Sequence, residues 1–220
     1  QREAIYYPAK KLNMNPIIID SSTAICFYIA RKYKSLLEDH PHRILAIDIG
    51  ETYAQAIVYE YGRDKNIFGV EKIYKWTDKV GGRDFDVCIA DLIQKQTKTS
   101  FEPLIEVKRM RVAEKVKRYL LKSDEVSGEF EGVPFAITRK MVEAATIKHL
   151  QTINNMIFDI FNYVQNIEID IVELVGGSSK FFAVQNLVRM IFGVNRIHIS
   201  KHPEEAISSG TAFLLSQEIN

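Results

Sequence analysis

The sequence predicts an α/β fold, a mixed sheet with helices on its faces. Three observations carry that prediction. Three β-rich runs, Ile44–Ile49, Tyr53–Tyr61 and Ile67–Trp76, follow one another with little spacer, in meander order. The last part of the chain alternates strand (Ile169–Val175), helix (Ser178–Ile191), strand (Arg196–Ser200) and a helix from Pro203. Between the two lies a largely helical stretch, which predicts an inserted subdomain.

In chain order, residues 1–12 read as a helix that Pro8 shortens or kinks. "PIIID", Pro16–Asp20, reads as a short buried strand. Ile25, Tyr28, Ile29, Tyr33, Leu36 and Leu37 then recur at helical spacing, with Ser21 or Ser22 as the cap. "DHPHR", Asp39–Arg43, breaks the chain before the meander, and Gly62 marks one of its turns. "VGGRDFDVCIADLIQK" opens on two glycines, caps on Asp84 and runs helical through Phe85, Cys88, Ile89 and Leu92. A charged helix spans Leu104–Leu121. Two short strands, Gly128–Gly132 and Pro134–Ile137, lead to Thr138 as cap of a long helix. That helix carries Val142, Ile147, Leu150, Ile153, Ile157, Phe161 and Val164 on one side. Pro203 at a first helical position, with Glu204 and Glu205 behind it, starts the last helix.

A length of 220 residues allows one large domain or two small ones. The 46% hydrophobic share excludes a disordered chain. Lys and Arg total 29 against 28 Asp and Glu, so the formal charge is +1. That balance gives no basic face for nucleic acid or an anionic membrane, and neither is expected as a partner. No apolar run approaches the roughly 18 residues that span a bilayer. Cys26 and Cys88 both sit among apolar residues, as buried small hydrophobes do, and fit a reducing compartment. The chain begins Gln1-Arg2 without methionine and reads as a segment of something longer, so missing targeting signals carry no weight.

Three places hold candidate chemistry. In "RILAIDIGETYAQAIVYEYG", Asp48 ends an apolar strand beside Gly50. A buried carboxylate is costly, so it has a partner or a task. A tight glycine turn there can aim N–H groups at a phosphate while the carboxylate holds magnesium through water; the simpler reading is a plain hairpin. In "DIVELVGGSSK", a buried strand runs into Gly176-Gly177, and Ser178 opens a helix whose N-terminus favours anions or polar rings; the simpler reading is a turn that needs glycine for its backbone. In "EKVKRYLL", Glu114, Lys117 and Arg118 share one helix face, which a solvated ion-pair stripe also explains. The histidines offer less: His40 and His42 flank a proline without further metal ligands, and His149, His198 and His202 are scattered.

Taken together these pieces resemble the second half of the nucleotide-binding domain of the 70-kDa heat-shock chaperone family, an actin-like ATPase (ribonuclease-H-like) lobe. "QREAIYYPAKKLNMNPIIIDSSTA" resembles the end of the family's first lobe, "RILAIDIGETYAQAIV" its second phosphate loop and "TDKVGGRDFD" its Leu-Gly-Gly-Glu-Asp-Phe-Asp. "AEKVKRYLL" resembles the adenosine-contacting helix, "ELVGGSSK" the adenine loop, and "HPEEAISSGTA" the closing helix. The order covers nearly the whole chain. The resemblance implies residues 1–42 as the tail of the first lobe, 43–78 and 142–220 as the base of the second, and 79–141 as its insert. It implies ATP or ADP with Mg2+ as ligands of the full-length parent. It implies Asp48 as the catalytic, magnesium-facing acid, and Gly50 under the phosphates. Glu114, Lys117 and Arg118 would contact adenosine, with Gly176, Gly177, Ser178 and Lys180 walling the base. Client proteins and other chaperones are the implied partners, in the cytoplasm or the endoplasmic reticulum lumen.

The departures matter equally. The family's Asp-Leu-Gly-Gly-Gly-Thr-Phe-Asp overlays Asp48-Ile49-Gly50-Glu51-Thr52-Tyr53-Ala54-Gln55, so two glycines, the threonine and the second aspartate are gone. Glu51 brings negative charge toward a triphosphate. Ser21 replaces a glutamate tied to magnesium, Leu121 stands where the adenosine helix carries a serine, and Lys180 replaces a stacking arginine. Hydrolysis, which rests on positioning and electrostatics, suffers more than purine recognition from such losses. The pattern leans toward the large, exchange-factor-type relatives, with slow or absent hydrolysis. Two other readings are a small-molecule kinase on the same fold, which needs a further carboxylate base, and a scaffold that has lost nucleotide. A ribonuclease-H-type nuclease needs clustered carboxylates, and only Asp48 is obvious.

Overall fold

The structure is a computed structural model that describes residues 2–37, 41–62, 70–165 and 168–218. α1 (Arg2–Lys11), α2 (Ser21–Lys32) and the single turn α3 (Lys34–Leu37) precede β1 (His42–Ile49), β2 (Ala54–Tyr61) and β3 (Val70–Asp78). The insert follows as α4 (Gly82–Thr97), α5 (Pro103–Tyr119) and the hairpin β4 (Glu125–Phe130) and β5 (Val133–Thr138). The chain then runs through α6 (Arg139–Tyr163), β6 (Ile171–Val175), α7 (Phe182–Phe192), β7 (Ile197–Ile199) and α8 (Ala206–Glu218).

Five strands make one mixed sheet in the order β3-β2-β1-β6-β7. β1 pairs antiparallel with β2 and parallel with β6, so the early meander and the late alternation share a central strand. That position explains the unbroken apolar run: β1 is covered on both faces. Leu45, Ile47 and Ile49 point into a core with Ile153, Met156 and Ile157 of α6 and with α7. Ile44 and Ala46 point to the other side, against Ile25, Cys26 and Ile29 of α2 and Ala206 of α8. The strand's period of two thus feeds two cores from one segment.

α2 is held to the sheet by a polar link within this second core. Glu173 on β6 is fully buried. It accepts from Lys32 Nζ at 2.7 Å and from Tyr33 Oη at 2.6 Å. A buried carboxylate is tolerable only with such partners. Burial also pushes the Tyr33 phenol up, with the Glu173 carboxylate adding to it.

Several local expectations need correction. Pro16–Asp20 is an irregular segment, not a strand, and Ile17 is 61% exposed. An apolar run becomes a strand only by pairing with another, and among the described residues this segment pairs with none. The cap of α2 is Asp20, whose carboxylate accepts from Ser22 N at 3.0 Å, rather than Ser21 or Ser22. α1 continues through Pro8. Asp84 is not the cap of α4 but its third residue, accepting from Gly81 N at 2.8 Å. Thr138 does cap α6, but Ile147 on that helix is 54% exposed. Residues 177–180 form a 3-10 turn, and α7 starts only at Phe182. The last helix likewise begins with a 3-10 turn, Pro203–Glu205. Asp39 and His40 of the expected chain break, and Ile67–Gly69 of the expected third strand, lie outside the described residues.

α2 and α8 cross at Gly210, where an added methyl group would run into the Ala24 carbonyl and come within 3.0 Å of Tyr28 N. Both neighbours are backbone and cannot rotate away. Gly210→Ala is therefore expected to cost about 3 kcal/mol of unfolding free energy, measured by chemical denaturation, despite alanine's better helix propensity.

Candidate functional site

The parallel register of β1 and β6, from Ile44↔Ile171 to Asp48↔Val175, ends both strands at the same level. Their following turns therefore lie side by side. Gly176 has φ +82°, and a methyl group there would strike the Ile49 carbonyl and reach 2.5 Å from Asp48 Oδ1. Only glycine fits both the backbone angle and the contact. Gly176 N donates to Pro203 O at 2.9 Å, tying this turn to the start of the last helix. Ser179 Oγ donates to Gly176 O at 2.7 Å and holds the 177–180 turn in shape.

The turn after β1 closes with Gly50 N donating to Tyr53 O at 3.0 Å, leaving Glu51 and Thr52 as its two central residues. Neither is among the described non-glycine residues of positive φ, which explains how this turn forms without the two missing glycines. It is bonded to the head of α4: Gly82 N donates to Gly50 O and Arg83 N to Glu51 O, both at 2.9 Å. Gly82 is in turn the meeting point of three side chains. A methyl group on it would collide with Ser178 Oγ and lie 3.3 Å from Glu51 Oε2 and 3.4 Å from Lys117 Nζ.

α5 supplies the opposite wall. Lys117 Nζ donates to Asp86 Oδ2 at 2.7 Å and to Gly82 O at 3.0 Å, so this helix is clamped to the head of α4. Burial raises the Asp86 acid, an effect that Lys117 opposes. Arg118 pairs with Glu114 along the helix, and Lys180 Nζ lies 2.9 Å from Glu204 Oε2.

These walls enclose a cleft of about 790 Å³. Of the residues singled out from sequence, Gly50, Glu114, Lys117, Arg118, Gly177, Ser178 and Lys180 line it together. Asp48 and Gly176 do not; they lie behind its floor, against each other. Tyr119, Lys122, Phe181 and Glu204 also line the cleft and were missed. Helical spacing beyond Arg118 could have found Lys122, whereas Glu204 had a sufficient explanation in the helix dipole.

Asp48 is only 2% exposed. Its Oδ2 accepts from Gln55 Nε2 at 2.6 Å, and the same amide reaches Ser21 Oγ at 3.1 Å. Burial raises the Asp48 acid, while the Gln55 hydrogen bond and the charge of Lys75 pull the other way. Above the ordinary carboxylate range the unfolded chain has lost a proton that the folded protein still holds. Stability on this account falls as pH rises through the window between the two values. Asp48→Asn keeps the acceptor and removes the charge. It is expected to be more stable than wild type near pH 7, with the difference closing as pH falls. Urea melts across pH measure it.

The cleft suits a purine. Its volume is that of a small-ligand site, and Arg118 is 71% exposed, within reach of a ring bound there. It suits magnesium poorly. Asp48 has one oxygen on the Gln55 amide and the other against Gly176, and Ser21 and Gln55 bring no charge. Among the described residues no group of three His, Cys, Asp or Glu side chains could hold a metal ion.

Sheet order, insert and glycine turns define a lobe of the actin-like ATPase class. Residues 2–216 match the model of the family described as Hsp70 protein, and the chain belongs to that family. Among its relatives, a heat shock protein homolog of Lachancea kluyveri is 23% identical, the match covering 97% of this chain and 33% of that protein. Heat shock cognate 70 kDa protein 3 of Dictyostelium discoideum is 28% identical over 92% of this chain and 34% of its own. A ribosome-associated molecular chaperone of Saccharomyces cerevisiae is 28% identical over 91% and 34%. The chain thus spans about a third of the length of the curated relatives it matches. Among the described residues no helix is long and apolar enough to cross a membrane.

Proposed function

We propose that this chain is the adenine-nucleotide-binding lobe of a heat-shock-type chaperone or co-chaperone that serves protein folding and the stress response. The observation that carries the reading is the cleft itself: the Glu114-Lys117-Arg118 face of α5 stands across from the Gly177–Lys180 turn, with Gly50 between them. Family membership and the names of the relatives support the chaperone role. In this reading residues 1–42 end a first lobe, 43–78 and 142–220 form the base of the second, and 79–141 are its insert. Nucleotide binding closes the lobes, and other domains, client proteins or partner chaperones read that closure.

Hydrolysis is slow or absent in this reading. Asp48 is sealed and hydrogen-bonded to an amide, so it is badly placed to face a water or a metal ion. Gly50 N is used by Tyr53 O and is not offered to a phosphate. The phosphate-side substitutions also favour a second reading, a scaffold without nucleotide. Of the carboxylates lining the cleft, Glu114 and Glu204 are paired with Arg118 and Lys180, which leaves the kinase reading Glu51 as its one candidate base among the described residues.

Calorimetry on the full-length protein separates these. ADP is expected to bind, and Arg118→Ala to weaken it by about fivefold to tenfold through the lost ring contact. ATP turnover is expected to stay near background. No heat with any adenine nucleotide overturns the reading in favour of the scaffold.

A further inference from the structure

Asp86 stands one layer behind the cleft. It lies on the second turn of α4, is 4% exposed and does not line the cavity, whereas Lys117 does. Lys117 Nζ gives one N–H to Asp86 Oδ2 at 2.7 Å and another to Gly82 O at 3.0 Å. An ammonium has three, so one is left for a group bound in the cleft. The other Asp86 oxygen, Oδ1, is buried without a hydrogen-bond partner among the described residues.

A clamp between α4 and α5 does not by itself call for this pair. Two charges taken out of water gain little stability over apolar side chains of the same size, and a half-satisfied carboxylate gains less. What the pair does supply is a fixed place for the ammonium, beside Gly82 in the cleft wall. A free lysine samples many rotamers, and a ligand that must order one binds more weakly. Here the ordering is done before a ligand arrives.

Building on the purine reading above, we infer that Asp86 is a positioning residue, which holds the Lys117 ammonium ready to donate to a nucleoside in the cleft and touches no ligand itself. The groups facing its carboxyl are Lys117 and Glu114 of α5 and Glu51 of the β1–β2 turn. Burial raises the Asp86 acid, Lys117 opposes the rise, and the charges of Glu51 and Glu114 add to it. As pH falls through the raised value the carboxyl gains a proton, Lys117 loses its ionic anchor, and nucleoside affinity falls with it.

The test is titration calorimetry of the full-length protein with adenosine, which has no phosphate to titrate. It uses wild type, Asp86→Asn, Asp86→Ala, Lys117→Met and the double variant of Asp86→Asn with Lys117→Met, with urea melts to follow stability separately. Asp86→Ala and Lys117→Met are expected to weaken adenosine by about threefold to tenfold, and Asp86→Asn, which keeps an acceptor for Lys117, by less. Once Lys117 is replaced, Asp86→Asn has no further effect on affinity. As pH is lowered from 7, wild-type affinity falls more steeply than that of Asp86→Asn; Glu51 and Glu114 titrate in both proteins and cancel in the comparison. Should Asp86→Ala not fold, Asp86→Asn and its pH profile decide the matter. Equal affinity of wild type and Asp86→Asn at every pH, or a loss that persists without Lys117, overturns the positioning role and leaves the purine reading standing. Wild type that binds ADP but not adenosine also overturns the inference alone, and wild type that binds neither overturns the purine reading with it.

Discussion

The close approach of Gly176 to the end of β1 is the constraint on which the rest of the site depends. β1 and β6 run parallel and end level, so the chain must leave both in the space of a few ångströms. The φ of +82° and the contact with the Ile49 carbonyl can be met only without a side chain. Because they are met, the Gly50 and Gly176 turns lie side by side. α4 can then hydrogen-bond to the first and the start of the last helix to the second. α5 joins through the Lys117–Asp86 pair. The cleft is what remains between these elements.

Behind the cleft, the floor is built from neutral contacts where charge would serve a metal. Asp48 and Gln55 are direct neighbours across β1 and β2, and the amide bridges Asp48 to Ser21 near the start of α2. That chain of hydrogen bonds makes a buried carboxylate tolerable and fixes α2 against the sheet. The Glu173 network does the same at the far end of α2, through Lys32 and Tyr33. Positions that could carry chemistry are thus spent on holding an element in place.

Much of the fold was legible because the strongest signals are local. The apolar run of β1, the Thr138 cap and the glycine pair at 176–177 follow from elementary backbone and burial rules. Errors arose where a residue's role depends on distant neighbours. "PIIID" has the composition of a strand but pairs with no strand among the described residues. Ser178 looks like a helix cap, yet Phe181, in an extended conformation, separates its turn from α7. Lys117 could be read as surface charge or ligand contact; its pairing with Asp86 spans 31 residues and leaves no local trace. Glu173 sits inside an apolar run, and only the fold shows that Lys32 reaches it. The grouping of Glu114, Lys117 and Arg118 with the glycine turns came from their order along the chain and not from any single motif.

Hydrogen exchange on the full-length protein, with and without saturating ADP, tests the central claim most directly, because it reports where the ligand sits. Slowed exchange in peptides covering Glu114–Lys122 and Gly176–Lys180 is the result this account predicts, the two walls of one cleft responding together. Protection confined to other parts of the chain, or to one wall without the other, contradicts it.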